Sequence, residues 1–315
     1  MTHLKNAAGQ VDNRLLVIVG PTAVGKTGLS INLAQQFQGE IISADSRQIY
    51  HGLDIGTAKA TPAEQATVPH FMIDVVAPDE VLTLAEFQER AYQQIDSVLQ
   101  RGNLPMLVGG SGQWVKSVVE GWGIPRVSPD MALRAELEAR AESIGALAFH
   151  AELAQIDPGA AQKLDYRNVR RVIRALEVYH KTGIPISVHQ RKNPPPYQII
   201  QIGLTRPREE LYQRIDQRIG QMMTDGLVTE VEALVEAGYD WQLPAMSGIG
   251  YRQIGLYLRE EATLEEAVAL IKKETRRFVR QQYNWFRLTD PNIKWFDLSE
   301  VDYAVIESYT KNFLV

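Results

Sequence analysis

The first 119 residues alternate short apolar runs with longer segments of helical periodicity. Residues 14–19 form a β-branched run that ends at a glycine-rich turn, and residues 27–37 follow with helical spacing. Two more apolar runs, 40–43 and 104–108, flank an amphipathic helical pattern at 84–99. Strands that alternate with helices predict a parallel α/β sheet, whose ligands lie at the carboxyl ends of the strands.

The pattern changes after residue 119. Residues 120–196 carry helical patterns at 129–144, 145–155 and 168–181 with little strand character, and they close on three consecutive prolines. Strand character then returns at 197–204, and Pro207 is typical of the first turn of a helix. The sequence therefore predicts an α/β fold, with a P-loop-type parallel sheet flanked by helices, that is interrupted by a helical insertion domain.

Residues 1–119 and 197–315 are thus interpreted as the two parts of one catalytic core, and residues 120–196 as the insertion. Within the second part, further helical patterns occur at 228–237, 251–258 and 264–288, and a last short strand is predicted at 292–296.

Composition narrows the class of protein. The chain has 315 residues, 45% of them hydrophobic, and no apolar run near the roughly 20 residues of a membrane span. Residues 1–13 lack the apolar stretch of a signal peptide. There is no cysteine, and the six histidines are scattered. We expect a cytoplasmic, monomeric enzyme without structural zinc or membrane attachment. The net charge of −5 argues only weakly against nucleic acid, because binding depends on local positive patches.

A phosphate-binding motif follows the first predicted strand. Its backbone N–H groups can converge on phosphate oxygens, its lysine supplies a point charge, and its threonine offers a hydroxyl to Mg²⁺. The eight residues are Gly20, Pro21, Thr22, Ala23, Val24, Gly25, Lys26 and Thr27. An ordinary glycine turn is the weaker interpretation. Residues 105–110 lack the acid that NTP-hydrolysing proteins place at a strand end, so a diphosphate ligand is favoured over NTP hydrolysis.

Charged residues elsewhere are candidates for chemistry and for RNA contact. Asp45 follows the second predicted strand, where it suits either a general base or a turn, and both interpretations stay open. Arg214 and Arg218, one turn apart, suit either the phosphate cleft or surface pairs with Glu209, Glu210 or Asp216.

Two basic clusters have helical spacing. Four arginines on one face at 167, 170, 171 and 174 favour phosphate contact over a solvated surface, which normally mixes signs. Five basic residues between 272 and 280 precede Tyr283, Trp285 and Phe286. Such a pattern suits nucleic acid, although core packing is favoured for Trp285 and Phe286.

Taken in order, these motifs resemble the tRNA dimethylallyltransferases, also called tRNA isopentenyltransferases. The resemblance covers nearly the whole chain, and the ordered set is far more specific than the phosphate-binding motif alone. Its motifs are residues 20–27, 43–50, 52–59, 68–70 with 73–74, 168–177, 214–218, 248–251, 275–278 and 285–287.

The resemblance implies transfer of a dimethylallyl group from its diphosphate to the N6 amine of adenosine 37, beside the anticodon, in tRNAs that read codons beginning with U. It implies Asp45 as general base, Lys26 and Arg218 at the departing diphosphate, and Mg²⁺ as cofactor on Thr27. It also implies contacts with the anticodon stem-loop. The residues for those contacts are Asp45, Ser46, Arg47, Gln48, Ser111, Arg134, Arg167, Asn168, Arg170 and Arg171.

The chain departs from the family pattern at three places: 109–114, where Trp114 is bulkier than usual, 280–282, where a basic residue is replaced by Gln281, and 165–167. The nearest rival is an adenylate isopentenyltransferase acting on free AMP, ADP or ATP, which would not need the arginine clusters or the insertion. A small-molecule P-loop kinase and a catalytically silent RNA-binding protein are weaker alternatives.

Overall fold

The computed structural model describes residues 13–314, and its elements alternate as the sequence predicts. These residues divide into two compact units, one formed by residues 13–119 together with 196–314, the other by residues 120–195. No helix within residues 13–314 is long and apolar enough to cross a membrane. The first part of the larger unit contains β1 (Arg14–Val19), α1 (Lys26–Phe37), β2 (Gly39–Ser43), α2 (Pro62–Thr67), β3 (His70–Phe71), α3 (Leu84–Gln100), β4 (Leu104–Gly109) and α4 (Gly112–Val119).

The smaller unit is helical. It contains α5 (Met131–Ile144), α6 (Ala146–Ile156), α7 (Pro158–Ala161), α8 (Val169–Thr182) and α9 (Ile186–His189). Its helices bury their own apolar core, in which Phe149, Leu153 and Val172 are fully buried. The unit therefore has the hydrophobic core that a compact domain requires.

The larger unit resumes with a strand and ends with a helix. Its second part contains β5 (Gln198–Thr205), α10 (Arg208–Thr224), α11 (Leu227–Glu236), α12 (Tyr251–Leu258), α13 (Leu264–Trp285), β6 (Ile293–Asp297) and α14 (Tyr303–Leu314). The strands form one sheet in the order β3-β2-β4-β1-β5-β6, and every pairing is parallel. The predicted α/β fold with a parallel sheet and flanking helices is confirmed.

Strand register brings three loops together. Val19 at the end of β1 pairs with Gly109 at the end of β4, and Ser43 at the end of β2 pairs with Val108. A Cβ atom at Gly109 would lie 2.2 Å from the carbonyl oxygen of Ala44, so only glycine permits this close approach. The segments that follow β1, β2 and β4 consequently meet at one edge of the sheet.

Some elements differ from the sequence patterns. The strand β3 has two residues, too few to show a period, and α2, α4 and α14 were not predicted. Helix α13 ends at Trp285 rather than 288 because Phe286 leaves helical geometry and buries its ring. Pro207 caps α10 in an extended conformation, so the helix begins one residue later than predicted.

A buried carboxylate organises the helical unit. Glu177 on α8 accepts hydrogen bonds from Arg134 at 2.8 and 2.9 Å, from Arg174 at 2.6 Å and from the backbone N–H of Asp130 at 2.8 Å. Burial alone would raise its pKa, but these donors outweigh burial and lower the pKa of Glu177 to about 2. The ion-pair network therefore joins α8 to α5.

Replacing this carboxylate should loosen the helical unit. We expect Glu177→Gln to destabilise it by about 2 to 3 kcal/mol, because two partly exposed arginines lose their anionic partner and the amide NH₂ group that replaces one oxygen cannot accept. The measurement is hydrogen exchange of the α8 amides in the full-length chain, with the exposed Glu136→Gln on α5 as the matched control.

The sign of the pH dependence follows from the depressed pKa. The stabilisation is complete above about pH 4.5 and is lost as the pH falls towards 2, so wild type and Glu177→Gln should converge at low pH. Equal α8 protection in wild type and Glu177→Gln at pH 7 would contradict the assignment.

Candidate active site

The glycine loop between β1 and α1 has the backbone conformation of a phosphate-binding turn. Gly20 and Gly25 have φ angles of 147° and 119°, and a Cβ atom at Gly20 would lie 2.6 Å from the carbonyl oxygen of Leu204. Lys26 is the first residue of α1 and donates from Nζ to the carbonyl oxygens of Gly20 at 3.0 Å and Pro21 at 2.8 Å. The loop therefore holds its lysine at the amino end of a helix, where anions are stabilised.

Three cations converge beside this loop. Arg214 on α10 donates from Nε to the carbonyl oxygen of Ala23 at 2.9 Å, and Arg218, one turn later, lines the same cleft as Lys26. Within residues 13–314 the Arg218 guanidinium makes no hydrogen bond or ion pair. Desolvation, followed by the charge of Arg214, lowers the pKa of Arg218. A half-buried guanidinium without an acidic partner suits an anionic ligand.

The alternative of surface ion pairs is wrong for these two arginines. Glu210 pairs with Arg206, and Asp216 pairs with Arg276 at 2.7 Å. Arg206, which lies just before α10, is the arginine that Glu210 neutralises, and it also donates from Nε to the carbonyl oxygen of Val24.

Positive charge also affects the lysine itself. Desolvation and then the nearby charge of Arg218 lower the pKa of Lys26 to about 8, while attraction to Asp45 opposes them. Lys26 is thus close to losing its proton in the ordinary working range of pH, and a bound anion would favour its charged form.

The position of Asp45 is compatible with both of the roles considered for it. It lies two residues after β2 and lines the cleft together with Lys26, Thr27 and Arg218, and no other acid does so among the described residues. Its Oδ1 accepts from the backbone N–H of Arg47 at 2.9 Å, which is a turn contact, and its Oδ2 has no hydrogen bond within residues 13–314. One oxygen fixes the side chain, so the other can accept a proton.

The neighbours of Asp45 separate into three environments. Gln48 lines the cleft, and Ser46 and Ser111 contact each other beside it, the Ser46 backbone N–H donating to Ser111 Oγ at 3.2 Å. Arg47 turns away and donates to Ser247 Oγ at 3.1 Å and to the carbonyl oxygen of Pro244. Of the residues predicted to follow the second strand, the structure therefore brings Asp45 and Gln48 into the cleft wall.

The hydroxyl of Thr27 fits a metal ligand. It lies in the first turn of α1, lines the cleft, and has no hydrogen-bond partner among residues 13–314. No cluster of three or more His, Asp or Glu side chains that could hold a metal occurs in that part of the chain. This environment suits Mg²⁺, which keeps several waters and binds few protein ligands together with phosphates.

Gln282 is a site residue that the sequence patterns did not single out. It is buried on α13, accepts from the backbone N–H of Thr22 at 2.9 Å and donates to the carbonyl oxygen of Gly110 at 3.1 Å. It therefore ties the glycine loop to the loop after β4. The one available signal was its place in the C-terminal motif, next to Gln281.

Trp114 packs into the core against Phe87 and does not line the cleft.

The predicted arginine face of the insertion is divided in the structure. Arg134 and Arg174 are held by the buried Glu177, and Arg167 precedes α8 and pairs with Asp165 at 2.6 Å. Asn168 caps α8 with its backbone carbonyl. The expectation of one shared face is therefore wrong for 167 and 174, because local carboxylates draw these side chains away.

Arg170 and Arg171 remain exposed on α8, with no hydrogen bond or ion pair among the described residues.

The second basic cluster, on α13, is also partly neutralised. Arg276 pairs with Asp216, and Arg277 lies 3.8 Å from Glu274. Core packing is confirmed for Phe286, which is 1% exposed. Trp285 does not follow this prediction, because its ring packs on Gly112 but the residue stays 37% exposed.

Fold and cleft together define a class: an α/β protein whose cationic cleft is built on a glycine loop at the carboxyl ends of parallel strands. The chain belongs to the IPP transferase family, whose family model matches residues 48–289. It is accordingly a prenyl-transferring enzyme.

Several relatives are similar over most of their length. The chain is 54% identical to a tRNA dimethylallyltransferase of Roseiflexus sp. (strain RS-1) over 279 residues, which cover 89% of this chain and 91% of that protein. It is 49% identical to the tRNA dimethylallyltransferase of Dehalococcoides mccartyi over 300 residues, 95% of this chain and 92% of that one.

Solved structures agree with this assignment. The full-length tRNA isopentenylpyrophosphate transferase from Bacillus halodurans superposes with a TM-score of 0.72 at 41% identity, covering 96% of this chain and 97% of its own. A eukaryotic dimethylallyltransferase acting on tRNA gives a TM-score of 0.81 at 25% identity, with coverage of 96% and 80%.

The lowered pKa of Lys26 predicts a pH-dependent anion site. Affinity for inorganic diphosphate should fall by up to about tenfold per pH unit above pH 8, as Lys26 loses its proton. Isothermal titration calorimetry between pH 7 and 9.5 measures this fall. In the control variant Lys26→Arg the cation stays charged over this range, so the ionisation of the diphosphate itself is the remaining source of pH dependence in its affinity. Parallel profiles for the two proteins would contradict the prediction.

Proposed function

We propose that this chain transfers the dimethylallyl group of dimethylallyl diphosphate to the N6 amine of adenosine 37, 3′-adjacent to the anticodon, in tRNAs that read codons beginning with U. The observation that carries the proposal is the cleft itself, which is lined by the glycine loop, by two cations that form no ion pair within the described residues, and by a single carboxylate. The relatives named above are tRNA-modifying enzymes, which supports tRNA as the acceptor.

The cationic side of the cleft suits a departing diphosphate. In the reaction the bond between C1 of the dimethylallyl group and the diphosphate oxygen breaks, and a bond between C1 and the adenine N6 forms. The electron pair leaves with the diphosphate, where Lys26 and Arg218 stabilise the growing negative charge. Mg²⁺ bound at Thr27 would neutralise further charge on this group. No water is activated, so no strand-end acid is required.

The acidic side of the cleft suits the acceptor. Asp45 keeps Oδ2 free of hydrogen bonds within the described residues, and Oδ2 accepts the proton that N6 loses as it is alkylated. Gln48, fixed beside it, supplies a polar wall against which a purine can be oriented. An adenine that reaches this cleft must leave the stack of its loop, which costs roughly a few kcal/mol.

The insertion offers a separate contact with RNA. Arg170 and Arg171 are exposed and lack a protein partner in the described chain, so both are available to phosphates of the anticodon stem-loop. Arg134 and Arg174 act instead through the Glu177 network, which holds α8 in shape. We also propose that the enzyme works as a monomer in the cytoplasm.

Transfer of label from dimethylallyl diphosphate tests the proposal directly. With Mg²⁺, label should enter unmodified tRNA but not AMP, ADP or ATP. Asp45→Asn should lower kcat by about 10²- to 10⁴-fold, because the amide cannot accept the proton yet still accepts the Arg47 N–H bond.

Diphosphate binding by Asp45→Asn, measured by calorimetry, serves as the control for folding. Label in free nucleotides would indicate the adenylate-type reaction, and label in neither acceptor would contradict the proposal.

Tests of RNA contact concern the exposed arginines. The double variant Arg170→Ala, Arg171→Ala should weaken tRNA binding by about 5- to 30-fold. It should also make the slope of log affinity against log salt concentration shallower by about 1.4 to 1.8, because two phosphate contacts are lost. Filter binding at several salt concentrations measures both. Arg140→Ala in the same unit, where Arg140 pairs with Glu152, is the matched control and should bind as wild type. An unchanged salt slope in the double variant would refute the contact.

A further inference from the structure

One carboxylate outside the cleft binds three consecutive backbone N–H groups. Glu230 on α11 accepts from the N–H of Asp54 at 3.0 Å and of Ile55 at 2.7 Å through Oε2, and from the N–H of Gly56 at 3.1 Å through Oε1. The hydroxyl of Tyr251 donates to the same Oε1 at 2.5 Å. Four donors on one charged acceptor are more than a surface glutamate normally gathers, and charge-assisted bonds of this kind are strong.

The ring of Tyr251 completes the clamp. A Cβ atom at Gly56 would lie 2.6 Å from this ring, so the ring lies flush against the glycine backbone. Tyr251 is buried, and desolvation followed by the charge of Glu230 raises the pKa of its hydroxyl, which therefore remains a donor. The loop is thus held by a carboxylate at its N–H groups and by an aromatic face at its glycine.

The clamped segment forms one wall of the cleft. Residues 53–60, here called the wall loop, include Thr57 and Ala58, which line the cleft with Asp45. Their carbonyl oxygens accept from Gln48 Nε2 at 3.3 and 3.2 Å, and Ser43 Oγ donates to Gln48 Oε1 at 2.9 Å. The orientation of the Gln48 amide therefore depends on where the wall loop is held.

A buried lysine holds the same loop from its other end. Lys59 donates from Nζ to the carbonyl oxygen of Tyr50 at 2.8 Å and to carboxylates of Asp54 and Asp74, each at 2.5 Å. These bonds tie the loop to its own neighbourhood in the chain. Glu230 differs, because it lies on a helix much later in the chain. It is 174 to 176 positions from the residues whose N–H groups it binds.

We propose that Glu230 is a positioning residue for the acceptor nucleobase. It holds the wall loop so that Gln48 presents a fixed amide beside the Asp45 carboxylate, and the purine of the acceptor is oriented against that wall. The inference rests on the proposed function, since it assigns this wall to the acceptor rather than to the diphosphate. Among the described residues, Glu230 makes no hydrogen bond or ion pair with the glycine loop or with Lys26, Arg214 or Arg218.

Steady-state kinetics with wild type and Glu230→Gln tests this role. Because a small misplacement of a reacting group costs much rate, kcat with tRNA should fall by about 10- to 100-fold. The KM for dimethylallyl diphosphate should stay within about twofold, since the diphosphate contacts are untouched. Glu232→Gln, on the exposed side of the same helix, is the matched control and should match wild type. A general loss of structure would change both constants.

A double-mutant cycle shows whether Glu230 acts through Gln48. If it does, adding Glu230→Gln to Gln48→Ala should lower kcat by no more than about twofold beyond Gln48→Ala alone. Should Glu230→Gln fail to fold, Tyr251→Phe keeps the ring and removes one of the four hydrogen bonds, and kcat should fall by about 2- to 10-fold.

The outcomes separate the two proposals. A wild-type kcat in Glu230→Gln, or a fall that is fully additive with Gln48→Ala, would overturn the positioning role while transfer by wild type still supports the proposed function. Absence of transfer to tRNA by wild type would overturn both.

Discussion

The cleft depends on the parallel register of β2, β4 and β1. Pairing of Val19 with Gly109 and of Ser43 with Val108 ends three strands at one level, and the missing side chain at Gly109 lets β4 approach the carbonyl of Ala44. Three segments therefore meet at this edge of the sheet: the glycine loop, the segment of Asp45 and the loop of Ser111. Cleft residues that lie far apart in sequence are thereby fixed on rigid elements, which is what precise positioning requires.

This convergence has an electrostatic cost that suits the enzyme's chemistry. Lys26, Arg214 and Arg218 are gathered where water is partly excluded, and their mutual repulsion is opposed by one carboxylate, Asp45. Carbonyl oxygens of the glycine loop accept from Lys26 and Arg214 and hold them in place. A site with excess positive charge stabilises an anionic ligand. It stabilises that ligand more strongly as negative charge accumulates on a leaving group.

Long-range polar contacts complete the site from the second half of the chain. Gln282 links the glycine loop to Gly110, and Glu230 with Tyr251 holds the wall loop around Gly56. All three come from helices that follow the insertion. The larger unit is therefore one structure assembled from both ends of the chain, which explains how an insertion can interrupt it without dividing the cleft.

Several elements of the fold, and the family, could be predicted from the sequence alone. The strand boundaries of β1, the glycine loop and the helices α3, α12 and α13 follow from local periodicity and from glycine and proline, which act within a few residues. The ordered motifs likewise identified the family before any contact was known. Arg170 and Arg171 were correctly located on a helix, but charge spacing could not tell them from Arg174, since the partner Glu177 is buried by packing.

Only the tertiary structure decided which of these residues act together. Contacts between distant segments place Asp45 and Arg218 in one cleft and neutralise Arg206 but not Arg214. They also bring Gln282 and Glu230 to the loops that they hold. Such contacts leave no periodic signal, because each depends on the register of the sheet and on the packing of whole helices against it.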